Sequence, residues 1–265
     1  MSEAMLDAGT GMLPWIAASA VTLTLGTVFA PATMDASQKA YYGSSVLALA
    51  HGILVSALSL AAGLESGFWS ATTDTWDYHV TTPATARCIH IFLAFLLTDL
   101  MPLLYYRKVW SGTGMYIGHH VLSFISWGDC AINGTCHQIA LGLLLVEATS
   151  PFVNGRYFLS THGLKSSTLY VVNGFMMMIS FLVLRVVGMG LLGVKFLIID
   201  RAEFFSLPMT TTCAALVTAP THGAPSSPAT CDVPWGARDA GFIWCRSSSS
   251  GTGCSSRGSR RSSAA

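Results

Sequence analysis

Residues Ser45–Leu64 read SVLALAHGILVSALSLAAGL, twenty residues with one ionisable side chain, His51. At about 1.5 Å per residue, a helix of that length crosses the roughly 30 Å hydrocarbon core of a bilayer. Inside that core no water is available to backbone polar groups, and a helix satisfies them within one segment. This stretch therefore reads as a membrane-spanning helix, and it sets the reading of its neighbours.

Similar runs lie on either side, at Gly11–Ala30, Cys88–Tyr105, Met115–Ala131 and Leu169–Val194. A sixth, Cys136–Phe152, is shorter and carries Glu147. The pattern predicts an all-α, polytopic transmembrane helical bundle of about six spanning helices. Composition agrees: 52% of residues are hydrophobic and 10% charged, against about 25% charged in a soluble domain. The net charge of +1 gives no basic footprint for a nucleic-acid partner. The acidic start, Met1 to Asp7, argues for a retained first helix rather than a cleaved signal.

Three regions follow from this. Residues 1–44 hold an N-terminal lumenal segment, the first spanning helix and a cytosolic loop. Residues 45–204 form the main transmembrane domain. Residues 205–265 are rich in Ser, Gly, Thr, Ala and Pro, end in SSSSGTGCSSRGSRRSSAA, and read as a low-complexity disordered tail.

Basic residues recur in alternate loops: Lys39, then Arg107 and Lys108, then Arg156 and Lys165. The intervening loops carry few. The positive-inside rule places the basic loops in the cytosol and the N-terminus in a lumen such as that of the endoplasmic reticulum. Trp69, Trp76, Tyr105, Tyr106 and Trp110 fall where interfacial anchors are expected.

Ionisable groups within spanning helices are costly and read as functional by default. Here they are His51, Asp99, His119, His120, Glu147 and Arg185, with Asn173 as a polar companion. Counting from the cytosolic helix ends puts His51 and Asp99 about 9 Å deep, and His119, His120, Glu147 and Asn173 about 6–8 Å deep. Six side chains from five helices thus share one level. Arg185 counts nearer the lumenal side. Imidazoles beside carboxylates suit general acid–base chemistry or the binding of a polar lipid headgroup. They also suit interhelical hydrogen bonds, worth about 0.6 kcal/mol each. No metal site is expected, because adjacent His119 and His120 diverge by about 100° on a helix.

Outside that level, Asn133-Gly134-Thr135 is a glycosylation sequon in a short turn. Cys130 and Cys136 flank it, either as a disulfide pair or as two thiols. Gly188, Gly190 and Gly193 read as helix-packing positions. His79, His90, Asp129 and His162 lie near helix ends or in loops and read as solvated.

The pattern His119-His120, then Glu147-Ala-Thr-Ser-Pro-Phe-Val-Asn154, then Val172-Asn173-Gly174 and Arg185 resembles the TLC domain. That family includes ceramide synthases, translocating-chain-associating membrane proteins and lipid-homeostasis proteins. The likeness covers about Ser44 to Arg201. It implies a membrane lipid-homeostasis role, with His51, Glu147 and Asn173 binding a lipid or acyl group. It also implies His119, His120 and Asp99 as candidate catalytic groups of a lipid acyltransferase. Acyl-coenzyme A would then be a substrate, and no cofactor is expected. A sorting or adaptor role without chemistry is a further reading. The expected partners are membrane lipids.

The ceramide-synthase pattern continues with a His-Asp pair and another Asp, whereas this chain reads His137-Gln138 and then apolar residues up to Glu147. The resemblance also implies one further span near the C-terminus, where this chain has its Ser-rich segment. An incomplete form is the corresponding expectation.

Overall fold

A computed structural model describes residues 3–68 and 77–207, with side chains from Gly11 onward. Trp69, Trp76 and nearly all of the expected tail lie outside the described residues. The chain divides into two units, Met1–Gly223 and Ala224–Ala265; every described residue belongs to the first.

The described residues form helices and connecting turns. They are α1 (Glu3–Val28), α2 (Ala36–Glu65), α3 (Pro83–Tyr105), α4 (Thr113–Asn133), α5 (His137–Leu145), α6 (Ser150–Thr161), α7 (Thr168–Ser180), α8 (Met189–Val194) and α9 (Arg201–Phe204). A 3₁₀ turn, Val146–Thr149, links α5 to α6. Two π-helical stretches, Phe181–Gly188 and Lys195–Ile199, flank α8. Four rods are long and apolar enough to cross a membrane: Gly11–Val28, Ala36–Glu65, Pro83–Tyr105 and Thr168–Ile199. The other two expected spans are α4 and the broken rod α5–α6. The all-α membrane bundle is thus the observed architecture.

Two helices begin earlier than their apolar runs because caps start them. Asp35 accepts from the Gln38 backbone while the Gln38 side chain accepts from the Asp35 backbone, a reciprocal capping box. Thr82 and Thr85 do the same ahead of α3, with Pro83 at the first helical position, where its missing N–H costs nothing. The sixth run continues past Phe152 to Thr161. Pro151 follows the 3₁₀ turn and opens α6 rather than ending the rod.

α3 is the central rod. Its Ile89, Ile91, Phe92, Leu93, Phe95 and Leu96 are buried against α2, α4 and α5. The rod from Thr168 to Ile199 is mostly uncovered by protein, with 11% of its most apolar window buried. In an apolar solvent such exposure carries no hydrophobic penalty.

One end of the bundle carries the basic loops. The opposite end closes around a polar group: Lys195 Nζ donates to Asp200 Oδ1 at 3.0 Å, and Tyr78 Oη donates to Asp200 Oδ2 at 3.0 Å. All three residues are buried. Burial first, then the hydrogen bond to Asp200, push the Tyr78 phenol up from its ordinary range. Sequence reading did not single out these residues. Cys136 N donates to the Tyr78 carbonyl at 2.8 Å and Gln138 Nε2 to the Asp77 carbonyl at 2.8 Å, tying the turn before α5 to the same end. Cys130 and Cys136 are both thiols within one apolar cluster.

Candidate functional site

α2, α3 and α4 meet at a buried polar contact. Ser44 Oγ donates to Asp99 Oδ1, and Asp99 Oδ2 lies 3.1 Å from His120 Nε2. His120 Nδ1 lies 2.9 Å from the carbonyl of Tyr116, one turn earlier in α4. A carbonyl only accepts, so the hydrogen-bond network assigns a proton to Nδ1. Nε2 then faces a carboxyl oxygen. A second proton must lie between them, as imidazolium with carboxylate or as imidazole with carboxylic acid. Both ring nitrogens of His120 are therefore committed.

His51 lies flat on Phe95, with ring centroids 4.1 Å apart and planes 7° apart. Phe95 also approaches His120, at 6.1 Å. His51 is 5% exposed, and its Nε2 has no hydrogen-bond partner among the described residues. Gly52 explains how α2 comes so close to the α5–α6 corner. A Cβ there would sit 2.8 Å from both the Glu147 carbonyl and Ser150 Cβ.

A cleft opens beside this contact, lined by Phe92, His119, Ser123, Trp127, Glu147 and Met189 with three aliphatic neighbours. Its walls are apolar apart from His119, Ser123 and Glu147. Phe92 separates it from His51, at a ring distance of 5.6 Å. Gly142 lets α8 pack close, since a Cβ there would meet Leu192 at 2.8 Å. Met189 is the first residue of α8.

The cleft lies where two irregular helical segments face each other. The 3₁₀ turn presents Glu147 and Thr149, and the π stretch presents Arg185. Interruptions of this kind recur at functional sites. Arg185 Nε donates to Thr149 Oγ1 at 3.1 Å, and its guanidinium lies 4.9 Å from the Phe181 ring. Glu147 and His119 are both within electrostatic reach of Arg185. Glu147 also accepts from Ser150 Oγ at 2.8 Å.

The depth count had set Arg185 apart from the other polar residues, and the structure corrects it. The rod that carries Glu147 runs on to Thr161, so Glu147 lies about 21 Å from that end, close to the depth of roughly 25 Å that Arg185 has from the start of α7. Asn173 sits elsewhere: its Nδ2 donates to the Phe152 carbonyl at 2.8 Å and pins α7 to α6. The expected residues therefore fall into two adjoining groups, with Asn173 outside both. Ser44, Asp99, His120 and His51 form the buried contact; His119 and Glu147 line the cleft, and Arg185 stands behind it on Thr149. Ser44 and Thr149 were not foreseen. No cluster of three or more metal-ligating side chains occurs among the described residues.

A bundle of apolar helices with polar groups gathered at irregular helical segments defines a multi-pass membrane protein with an intramembrane polar site. The TLC domain family matches the chain over residues 42–221, more than half its length, and the chain belongs to that family. Human TLC domain-containing protein 4 is 34% identical over 102 residues, 38% of this chain and 38% of its own length. TLC domain-containing protein 4 A of Dictyostelium discoideum is 30% identical over 138 residues, 49% of this chain and 54% of its own. TLC domain-containing protein 4-B of Xenopus laevis is 30% identical over 93 residues, 35% of each chain. The matches thus span from about a third to about half of those relatives. No solved structure matches the chain.

Proposed function

We propose that this chain is a lipid-binding protein of membrane lipid homeostasis, taking the polar group of a lipid between His119, Glu147 and Arg185. The supporting observation is the cleft itself. His119 and Glu147 project into walls that are otherwise almost wholly apolar, beside a guanidinium within electrostatic reach. That division suits an amphiphile's polar end at the ionisable groups, and the space of about 30 Å³ must widen along Phe92, Trp127 and Met189 to take its chain. His51, with an unpartnered buried nitrogen, lies one aromatic ring behind. We place the N-terminus on the lumenal side on the strength of the basic loops, and the protein in the endoplasmic reticulum as a proposal drawn from its family.

Purified full chain, analysed by native mass spectrometry with lipid extraction, tests this reading. His119→Ala and Glu147→Gln are expected to lower the retained lipid at least tenfold with little change in thermal midpoint. An exposed change at the opposite end, Arg87→Gln, is expected to change neither. Undiminished lipid in both cleft variants would end the proposal.

A second reading, acyl transfer from acyl-coenzyme A, draws support from the proton held between His120 and Asp99. In it His119 takes the proton of an attacking amine or hydroxyl, the new ester or amide bond forms, and the thioester releases the thiol. The Asp99–His120 pair orients the turn that carries His119. Labelled acyl-coenzyme A with lipid acceptors tests it. Product that disappears in His119→Ala but not in His79→Ala would establish transfer.

A further inference from the structure

At the basic end of the bundle the rings of three separate segments join in an unbroken chain. Tyr105 meets Tyr106 at 4.7 Å, Tyr106 stacks on Trp110 at 5.1 Å, and Trp110 meets Tyr41 edge-on at 5.2 Å. Tyr41 then meets Tyr157 at 5.2 Å, Tyr157 meets Phe158 at 5.5 Å, and Phe158 meets Tyr42 at 4.9 Å. Polar tips fix the collar. Trp110 Nε1 donates to Ser37 Oγ at 2.9 Å, and Tyr42 Oη lies 3.2 Å from His162 Nε2. Rings with apolar bodies and wet tips suit the headgroup layer of a bilayer.

Charge is distributed unevenly between the two ends. The collar's three segments, residues 31–44, 105–115 and 154–167, contain Lys39, Arg107, Lys108, Arg156 and Lys165 against one carboxylate, Asp35. Asp35 is occupied in capping α2. Arg107 and Lys108 are exposed on the turn between Tyr106 and Trp110, which those two rings hold against the start of α2. Glu65, Asp77, Asp129 and Glu203 mark the opposite end, beside exposed Arg87 and Arg201.

We infer that this aromatic and basic collar is a docking surface for anionic phospholipid headgroups, with Arg107 and Lys108 as its principal charges. The inference does not depend on what occupies the cleft. The collar adjoins the buried contact along α2, where Tyr41 lies three residues before Ser44. Each basic residue held at a membrane surface strengthens binding of an acidic leaflet by about fivefold.

Trp110 provides the test as one of seven tryptophans, its share of the quenching being the part lost in Trp110→Phe. The full chain is reconstituted in mixtures of brominated phosphatidylserine and phosphatidylcholine, and tryptophan quenching gives the relative binding constant of the two lipids. A constant well above one is expected for the native chain. It should fall by roughly 25-fold in the double variant Arg107→Gln/Lys108→Gln and shrink as salt is raised. Arg87→Gln/Arg201→Gln, at the opposite end, should leave it unchanged. A native constant near one, an equal fall in both double variants, or competition by soluble glycerophosphoserine at matched concentration would overturn the assignment.

Discussion

Asp99 and His120 face each other across a buried hydrogen-bond contact. Their Oδ2 and Nε2 lie 3.1 Å apart, while the other nitrogen of His120 is committed to the Tyr116 carbonyl. The contact joins α3 to α4, and Ser44 joins α2 to the same carboxyl.

Removing the carboxyl separates two scales of energy. Hydrogen bonds in membrane bundles average about 0.6 kcal/mol, whereas breaking a buried charged pair costs about 3–5 kcal/mol. Ser44→Ala belongs to the first scale; Asp99→Ala reaches the second where the pair is imidazolium with carboxylate. Thermal unfolding in detergent should show Asp99→Ala as much the more damaging, with Asp99→Asn between them. Equal effects of Ser44→Ala and Asp99→Ala would mean that no proton is shared there.

Gly52 and Gly118 offer a contrast of space. A methyl group at Gly52 would meet Glu147 O and Ser150 Cβ at 2.8 Å, while one at Gly118 meets nothing within 4 Å. Gly52→Ala should cost about 1–3 kcal/mol through overpacking and lower the retained lipid by displacing Glu147. Gly118→Ala should change neither thermal midpoint nor lipid content.

Arg185 and Thr149 should be coupled. Thr149 is fully buried and its hydroxyl accepts from Arg185 Nε. Thr149→Val and Arg185→Met each remove one side of that bond. A double-mutant cycle on thermal stability is expected to return a coupling of about 0.5–3 kcal/mol. Strict additivity would show that the π stretch is not held at this point.

The opposite end predicts a rescue. Asp200→Ala removes the carboxylate that both Lys195 and Tyr78 contact, at a cost of about 3–5 kcal/mol. Replacing the group as a whole, in Lys195→Met/Asp200→Leu/Tyr78→Phe, should restore most of the loss, since buried ion pairs are often no better than apolar packing. A triple variant less stable than Asp200→Ala would assign the group a specific fold-defining role.

The spans were legible because a bilayer imposes one length on every helix, and Ser45–Leu64 meets it without charge. The caps at Asp35 and Thr82 carry two helices beyond their apolar runs, because capping depends on a side-chain oxygen at the first turn and not on hydropathy. His119, His120, Asp99 and Glu147 stood out because such groups are costly among apolar neighbours. Ser44 did not, since a serine near a helix end costs little and carries no signal of its partner. Arg185 was set apart because the count for Glu147 stopped at Phe152, whereas Pro151 opens α6 and the rod runs on to Thr161. Lys195, Asp200 and Tyr78 meet across more than a hundred residues of sequence, and charges near a helix end ordinarily face water.

The rod from Thr168 to Ile199 has 32 residues, about 48 Å if helical throughout, against a hydrocarbon slab of roughly 30 Å. A rod that long leans over in the slab, and the lean grows as the slab thins. Met189, a wall of the cleft, rides on that rod, which is fastened at Asn173 and Arg185 and, toward its far end, by Leu192 over Gly142 and by Lys195 on Asp200. The aperture beside His119 and Glu147 therefore has one wall on an element longer than the slab it crosses, and the inclination of that element is set by its packing against α5 and α6.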